Sequence, residues 1–301
     1  MEKAKVKGHL AAAGAYAIFG FNIIFNKDIA NSEAVSPLVL FALRALGAAA
    51  LFWVASLFLP REKVPGRDLW RMALAGFLGL FIPQMSFLFA IGMATPLDCA
   101  VLGSLTPIYT MCFAFLFLGG EPITFKKAGG VAMSLGGALL LIYNSTHAAG
   151  AVERTQPLGV ILLLVNGLSF AGYLGAFRPL ISRYSVVTLM KWMFLFSLLL
   201  SLPFAWNGLL QTDYASLTPT LRWEVGYVIV FATFVAYFLI PIGQKYLRPT
   251  LVSMYSYLQP IIASAISIAV GMDLLTWQKA LAIVLVFGGV FLVSRSRAAS
   301  R

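Results

Sequence analysis

Acid is what this chain has least of. Its 301 residues hold 11 aspartates and glutamates against 22 lysines and arginines, with 2 histidines, 2 cysteines and only 11% charged residues in all. Each shortage excludes something. Cys99 and Cys112 lie thirteen positions apart in one apolar stretch, which is neither a metal-ligand spacing nor a disulfide framework; both read as small apolar residues. His9 and His147 fall at the edges of apolar stretches, and neither HExxH nor GxSxG occurs. A membrane-embedded enzyme would therefore lack its nucleophile–base set or its metal ligands, and no catalytic residue, metal or cofactor is expected. The acids all sit at the ends of apolar runs or between them, with Asp28 and Asp98 nearest a boundary. A carboxylate at mid-membrane depth is the usual proton relay or cation site, so its absence argues against proton-driven export of cationic drugs.

What is present is apolar surface: 60% hydrophobic residues and a mean hydropathy of +0.88. Soluble domains run at about 45–50% apolar and about 25% charged. The excess has nowhere to go in water, which makes this an integral membrane protein. The net charge of +11 is spread singly between apolar runs, so it reads as a topology signal and not as a nucleic-acid surface. A span needs about 20 apolar residues, and by that measure there are ten: about 8–26, 37–58, 70–92, 96–118, 125–143, 157–177, 187–206, 223–244, 250–271 and 276–294. The amino terminus imitates a secretory signal, yet its apolar stretch runs on to about Phe25 and is expected to be the first span. One side of the membrane would carry Lys3, Lys5, Lys7, the group from Arg61 to Arg71, Lys126, Lys127, Arg178, Arg183, Lys245, Arg248 and the three arginines after 294. The other side would carry only Lys27, Arg154, Arg222 and Lys279. That bias puts both termini in the cytoplasm.

The chain also repeats itself. Pro96 and Pro107, Glu121, Thr124, Lys127 and Gly136-Gly137 have counterparts in Pro249 and Pro260, Asp273, Thr276, Lys279 and Gly288-Gly289. Upstream, Gly20 matches Gly172 and Phe25 matches Phe177, each 152 positions on. The expected units are 1–150 and 151–301. Five spans separate the copies, an odd number, so the second must lie inverted relative to the first. Inverted repeats place a solute site near the membrane midplane, between the halves.

The stretches AIFGFNIIFNK (17–27), LVLFALRALGAAAL (38–51), SLTPIYTMCFAFLFLGGEPIT (104–124) and VSMYSYLQPIIASAISIAVGMDLLT (252–276) resemble the drug/metabolite transporter superfamily, in its ten-span EamA type. The resemblance covers essentially the whole chain. It departs at Asp273, where a glutamate is usual. It implies an all-α membrane protein of ten helices, two inverted five-helix repeats around a central cavity. Spans 1–4 and 6–9 would surround that cavity, and spans 5 and 10 would lie outside. It also implies small metabolites, often amino acids, as cargo. The expected function is thus a facilitator or exporter of such solutes in a bacterial inner membrane, working by alternating access. Its partners would be a small molecule and the lipid bilayer, and it would act as a monomer or homodimer. The alternatives are a nucleotide-sugar or phosphorylated-metabolite exchanger, a cationic drug exporter and, outside the class, a channel.

Candidate residues follow from depth. Arg44 lies about a third of the way into its span, where a guanidinium is costly without a partner; substrate carboxylate, helix-end carbonyls and Asp28 are the options. Asn166, Ser169 and Tyr173 fall on one stripe of span 6 at helical spacing. Asn22, Gln84, Tyr257 and Gln259 are further polar groups at depth, which either bond between helices or line a wet cavity. Trp192 and Tyr237 add aromatic surface. Pro83, Pro107, Pro241 and Pro260 each remove a backbone donor, making them candidate hinges or gates. Lys191 is shallow enough to snorkel. The glycine pairs allow close helix contact, inside the protein or at a dimer face.

Overall fold

The computed structural model describes residues 2–94, 102, 103, 105–117, 123–146, 156–269 and 276–296, and every regular element among them is helical. Asp98 and the turns carrying Glu121 and Asp273 fall outside these residues. Among the described residues six helices are long and apolar enough to cross a membrane: α1 (Glu2–Asn31), α2 (Pro37–Leu57), α3 (Gly66–Ala90), α6 (Pro157–Ala176), α8 (Val186–Gln211) and α9 (Pro219–Tyr246). Between and after them come α4 (Thr106–Phe117), α5 (Phe125–Thr146), the short α7 (Arg178–Arg183), α10 (249–269) and α11 (Trp277–Ser294). Of these, α4 and α11 hold the shorter apolar stretches Thr106–Leu116 and Ala280–Ser294. Leu46, Val54, Leu116, Val284 and Phe291 point outward and are exposed. Such a surface suits lipid and not water.

Local chemistry fixes where the long helices begin. The Ser36, Ser185 and Thr218 hydroxyls accept from the backbone N–H groups of Val39, Thr188 and Leu221, at 3.2–3.4 Å. A hydroxyl three residues ahead satisfies one of the amides that an α-helix leaves open at its start. Pro37 and Pro219 occupy first-turn positions, where no amide is missed.

Two helices carry a wide turn in the middle. In α3 it covers Phe77–Phe81 and in α9 Val230–Val235, so the second begins 153 residues after the first. Pro83 accounts for the first, because it has no N–H to donate back. Ile82 instead donates to Phe77 O, five residues earlier. The carbonyls loosened nearby are taken up by neighbouring helices: Ser169 Oγ donates to Leu78 O at 2.5 Å, Ser197 Oγ to Gly76 O at 3.2 Å, and Asn166 Nδ2 to Pro83 O at 2.7 Å. In α9 the Thr233 hydroxyl donates to Val228 O at 2.7 Å.

The helices pack in a definite set of pairs. α5 lies along α11 and α2 along α8; α1 packs on α9 as α3 does on α6, and α10 on α1 as α4 does on α6. Small residues let α5 and α11 close up. A Cβ on Gly137 would stand 2.7 Å from Ala282 O, one on Gly130 would stand 2.8 Å from Gly289 O, and one on Gly289 would run into Ser134 and Gly130 O. Ser134 Oγ donates across the seam to Val286 O at 2.9 Å. The glycines at 130, 137 and 289 thus serve a contact within this chain, while Gly129 and Gly136, on another face, meet nothing within 4 Å.

Candidate functional site

A cavity of about 270 Å³ lies between α1, α2, α3, α4, α6, α9 and α10. Its lining comes from helical stripes. Tyr16, Phe19, Ile23 and Lys27 of α1, Gln84, Phe87 and Ile91 of α3, and Leu163, Asn166 and Phe170 of α6 each repeat every three or four residues, which is one face of a helix. α2 contributes Arg44, α9 contributes Tyr237, and α10 contributes Ser256 within a 3₁₀ turn at Tyr255–Tyr257 and Gln259 and Pro260 just beyond it. The cavity reaches the end of the bundle where α1 stops, since Lys27, Ala94 and Gly103 line it there.

Arg44 is its main electrostatic feature. It is 3% exposed, and Nε donates to Thr233 Oγ1 at 2.9 Å. Thr233 can accept because its own proton already goes to Val228 O, the carbonyl freed by the wide turn of α9. Among the described residues, no acidic side chain stands within ion-pair distance of this guanidinium. Among the described residues Nε–Thr233 is the hydrogen bond this side chain makes, and Arg44 lines the cavity. A buried cation without a counter-ion is costly, and a bound anion removes that cost. Around it stand groups with unused capacity: among the described residues Asn22 Oδ1, Ser256 Oγ and the Tyr16 hydroxyl have no hydrogen-bond partner, and Gln84 lies beside Tyr237. Asn166 spends its amide N–H on Pro83 O.

Eight of the residues expected from sequence meet at this cavity: Asn22, Arg44, Gln84, Asn166, Tyr237, Gln259, Pro83 and Pro260. Six lie elsewhere. Ser169 turns to Leu78 O and the ring of Tyr173 covers Gly79, so the stripe through Asn166 divides: Ser169 and Tyr173 hold the wide turn, while Leu163 and Phe170 face the cavity. Trp192 packs edge-on against Trp53 and stacks on Phe196, with Lys191 Nζ 4.8 Å from the Trp53 ring centroid. Tyr257 is fully buried, Pro107 sits in the first turn of α4, and Pro241 lies inside α9. The expectation had not included Tyr16, Phe19, Phe87, Phe170 or Lys27. Phe87 continues the α3 stripe of Gln84 and Phe170 the α6 stripe of Asn166, while Tyr16, Phe19 and Lys27 repeat at helical spacing along α1.

The opposite end of the bundle is shut. His9 Nδ1 and the Tyr255 hydroxyl are 2.6 Å apart, and Lys245 Nζ donates to Tyr184 O at 2.6 Å. Asp68 accepts from Arg183 at 2.8 Å and from the Tyr184 hydroxyl at 2.5 Å. Burial and that bond to Asp68 both push the Tyr184 phenol up from its ordinary pKa. Glu62, in the loop before α3, accepts from the backbone N–H and hydroxyl of Ser185. Partial burial acts to raise its carboxyl, but the hydrogen bonds from Thr188 and Ser185 outweigh this and hold it below its usual range.

Comparison with known proteins agrees with this architecture. The model of the EamA-like transporter family matches twice, at residues 6–143 and 157–295. The uncharacterized transporter YetK of Bacillus subtilis is 23% identical over 96% of this chain and 87% of its own length. The uncharacterized inner membrane transporter YedA of Escherichia coli K12 is 27% identical over 87% of this chain and 83% of its own. The WAT1-related protein At1g68170 of Arabidopsis thaliana is 32% identical, but over only 42% of this chain. A protein of known crystal structure shares the fold, with a TM-score of 0.75 at 20% identity over 98% of this chain and 97% of that one.

Proposed function

This chain belongs to the EamA-like transporter family, and from that premise we propose that it moves a small carboxylate-bearing metabolite, an amino acid, outward across a bacterial inner membrane by alternating access. The observation that carries the reading is Arg44, a buried guanidinium with no acidic partner among the described residues, open to a cavity of about 270 Å³. The carboxylate binds there as the missing counter-ion, two oxygens on two N–H groups. The ammonium meets neutral acceptors, Asn22 Oδ1 and the amides of Gln84 and Gln259. Phe19, Phe87 and Phe170 surround the side chain. A volume of this size suits an amino acid better than a nucleotide sugar.

The two halves, 1–150 and 151–301, act as inverted five-helix units with both termini in the cytoplasm. Several features support this. The family model matches once in each half, the wide turns stand 153 residues apart, and the α1–α9 and α3–α6 contacts are what a two-fold relation between the halves would generate. Ser134 bonds to the carbonyl of Val286, its counterpart 152 residues on. Pro107 and Pro260 begin or follow the turns that would move.

Lys27 at the mouth, together with Arg44, favours a second reading, a phosphorylated metabolite taken in exchange for another anion. Purified protein in proteoliposomes separates the two. Efflux of labelled amino acid into buffer without a counter-substrate supports the first; flux seen only with an anion on the far side supports the second. If none of the twenty amino acids moves and none shifts the melting temperature, the amino-acid reading is wrong.

A further inference from the structure

The regularity of 153 residues can be applied to the cavity itself. Carried forward by that interval, Gln84 becomes Tyr237, Gly103 becomes Ser256 and Thr106 becomes Gln259, and both members of every pair line the cavity. These residues therefore lie close to the relation that exchanges the halves. The rest of the α3 stripe behaves differently. Phe87, Ile91 and Ala94 become Ile240, Gln244 and Leu247, which are 0%, 0% and 4% exposed and belong to the shut end. There Gly243 packs on Ala12, with 3.4 Å between Cβ positions, Gly8 abuts Leu247, and Gln244 Nε2 donates to Leu174 O at 3.3 Å. Leu174 in turn stands 152 residues after Asn22.

Gln244 does not fit a purely structural seal. It is completely buried, yet Oε1 has no partner, and a buried acceptor left unmade is unfavourable. A leucine would fill the same place without that defect. The polar group is explained if in another state it faces water and solute.

We propose that Ile240, Gln244, Leu247 and Leu174 line a second vestibule at the opposite end of the bundle, formed when the present one closes, and that Gln244 is a solute-contacting amide in that state. This rests on the alternating-access reading but not on the identity of the cargo. For this, α1 around Gly8 and Ala12 must part from α9 around Gly243 and Leu247.

The test is side-specific labelling of reconstituted, uniformly oriented protein by a membrane-impermeant maleimide, with Cys99 and Cys112 replaced by Ser. Phe87→Cys is expected to react from the side of Lys27, and Gln244→Cys only from the other. The Cβ separation of 3.4 Å between residues 12 and 243 is close to disulfide geometry. Oxidised Ala12→Cys/Gly243→Cys protein should accordingly lose labelling at Gln244→Cys at least tenfold, keep labelling at Phe87→Cys, and regain both on reduction. Labelling of Gln244→Cys from the Lys27 side overturns the proposal, as does a cross-linked protein that still labels at 244. So does a Gln244→Cys protein that elutes as a folded monodisperse species and never reacts. Absence of amino-acid flux with the labelling pattern intact would remove the cargo and leave the vestibule standing.

Discussion

Replacing Arg44 by glutamine should separate recognition from stability. The guanidinium is 3% exposed, Nε is fixed by Thr233 at 2.9 Å, and no acid among the described residues neutralises it. A hydrogen bond to a charged group contributes about 1.5–3 kcal/mol, and each ~1.4 kcal/mol is a factor of ten in affinity. Arg44→Gln should therefore weaken binding of a carboxylate-bearing solute about 10- to 100-fold. The same change should leave the corresponding carboxamide nearly untouched, so a double-mutant cycle on solute and protein returns about 1.5–3 kcal/mol of coupling. Stability should move the other way. A buried charge without a partner costs several kcal/mol in the empty protein, so ligand-free Arg44→Gln should melt at or above the temperature of the parent in the same detergent. The assays are isothermal titration with acid and amide pairs, and thermal unfolding without ligand. Equal losses for acid and amide would refute the proposed pairing, and a lower melting point would show that the charge is satisfied by a group other than the solute.

Three further outcomes follow from the packing and the loops. Gly137→Leu forces a side chain against Ala282 O and should cost about 1–3 kcal/mol in thermal unfolding, whereas Gly136→Ala, with open space beyond it, should change stability little. Glu62 has a depressed carboxyl pKa when folded, so its contribution is present above the unfolded value and is lost as pH falls through the folded one. The acid limb of a melting-temperature profile below about pH 4.5 should consequently flatten in Glu62→Gln, and an unchanged limb would dismiss the Ser185 bonds as a source of stability. Trp192→Ala should alter solute affinity less than twofold in the titration assay, because the ring packs on Trp53 and Phe196 and does not line the cavity.

Depth and charge were readable from the sequence, while direction around each helix was only partly so. Arg44, Gln84 and Gln259 could be picked out because a polar group in an apolar run is rare and costly, and all three line the cavity. Ser169 and Tyr173 passed the same filter and serve instead to secure the middle of α3. Periodicity alone could not separate them from Asn166, since 166, 169 and 173 sit on one broad face and the division between neighbours within it is made by α3. The aromatic liners escaped for the opposite reason. Phe87 and Phe170 look like any lipid-facing or core phenylalanine until the stripes through Gln84 and Asn166 are known to point inward, and Phe19 does so until the inward face of α1 is known. Lys27 reads as a boundary lysine, which it also is.

The wide turns have a consequence for how the sequence can change. Each inserts one extra residue into a helix, and one residue is about 100° of rotation. Gln84, Phe87 and Ile91 face the cavity because Phe77–Phe81 has already spent that rotation; the same holds for Tyr237 after Val230–Val235. Deleting a single residue from either turn would leave length, hydropathy and every side chain nearly as before. It would nevertheless swing a whole cavity-lining face away from the cavity. The cavity is thus encoded partly by a count of residues, a property that no substitution scan would detect and a one-residue deletion would expose.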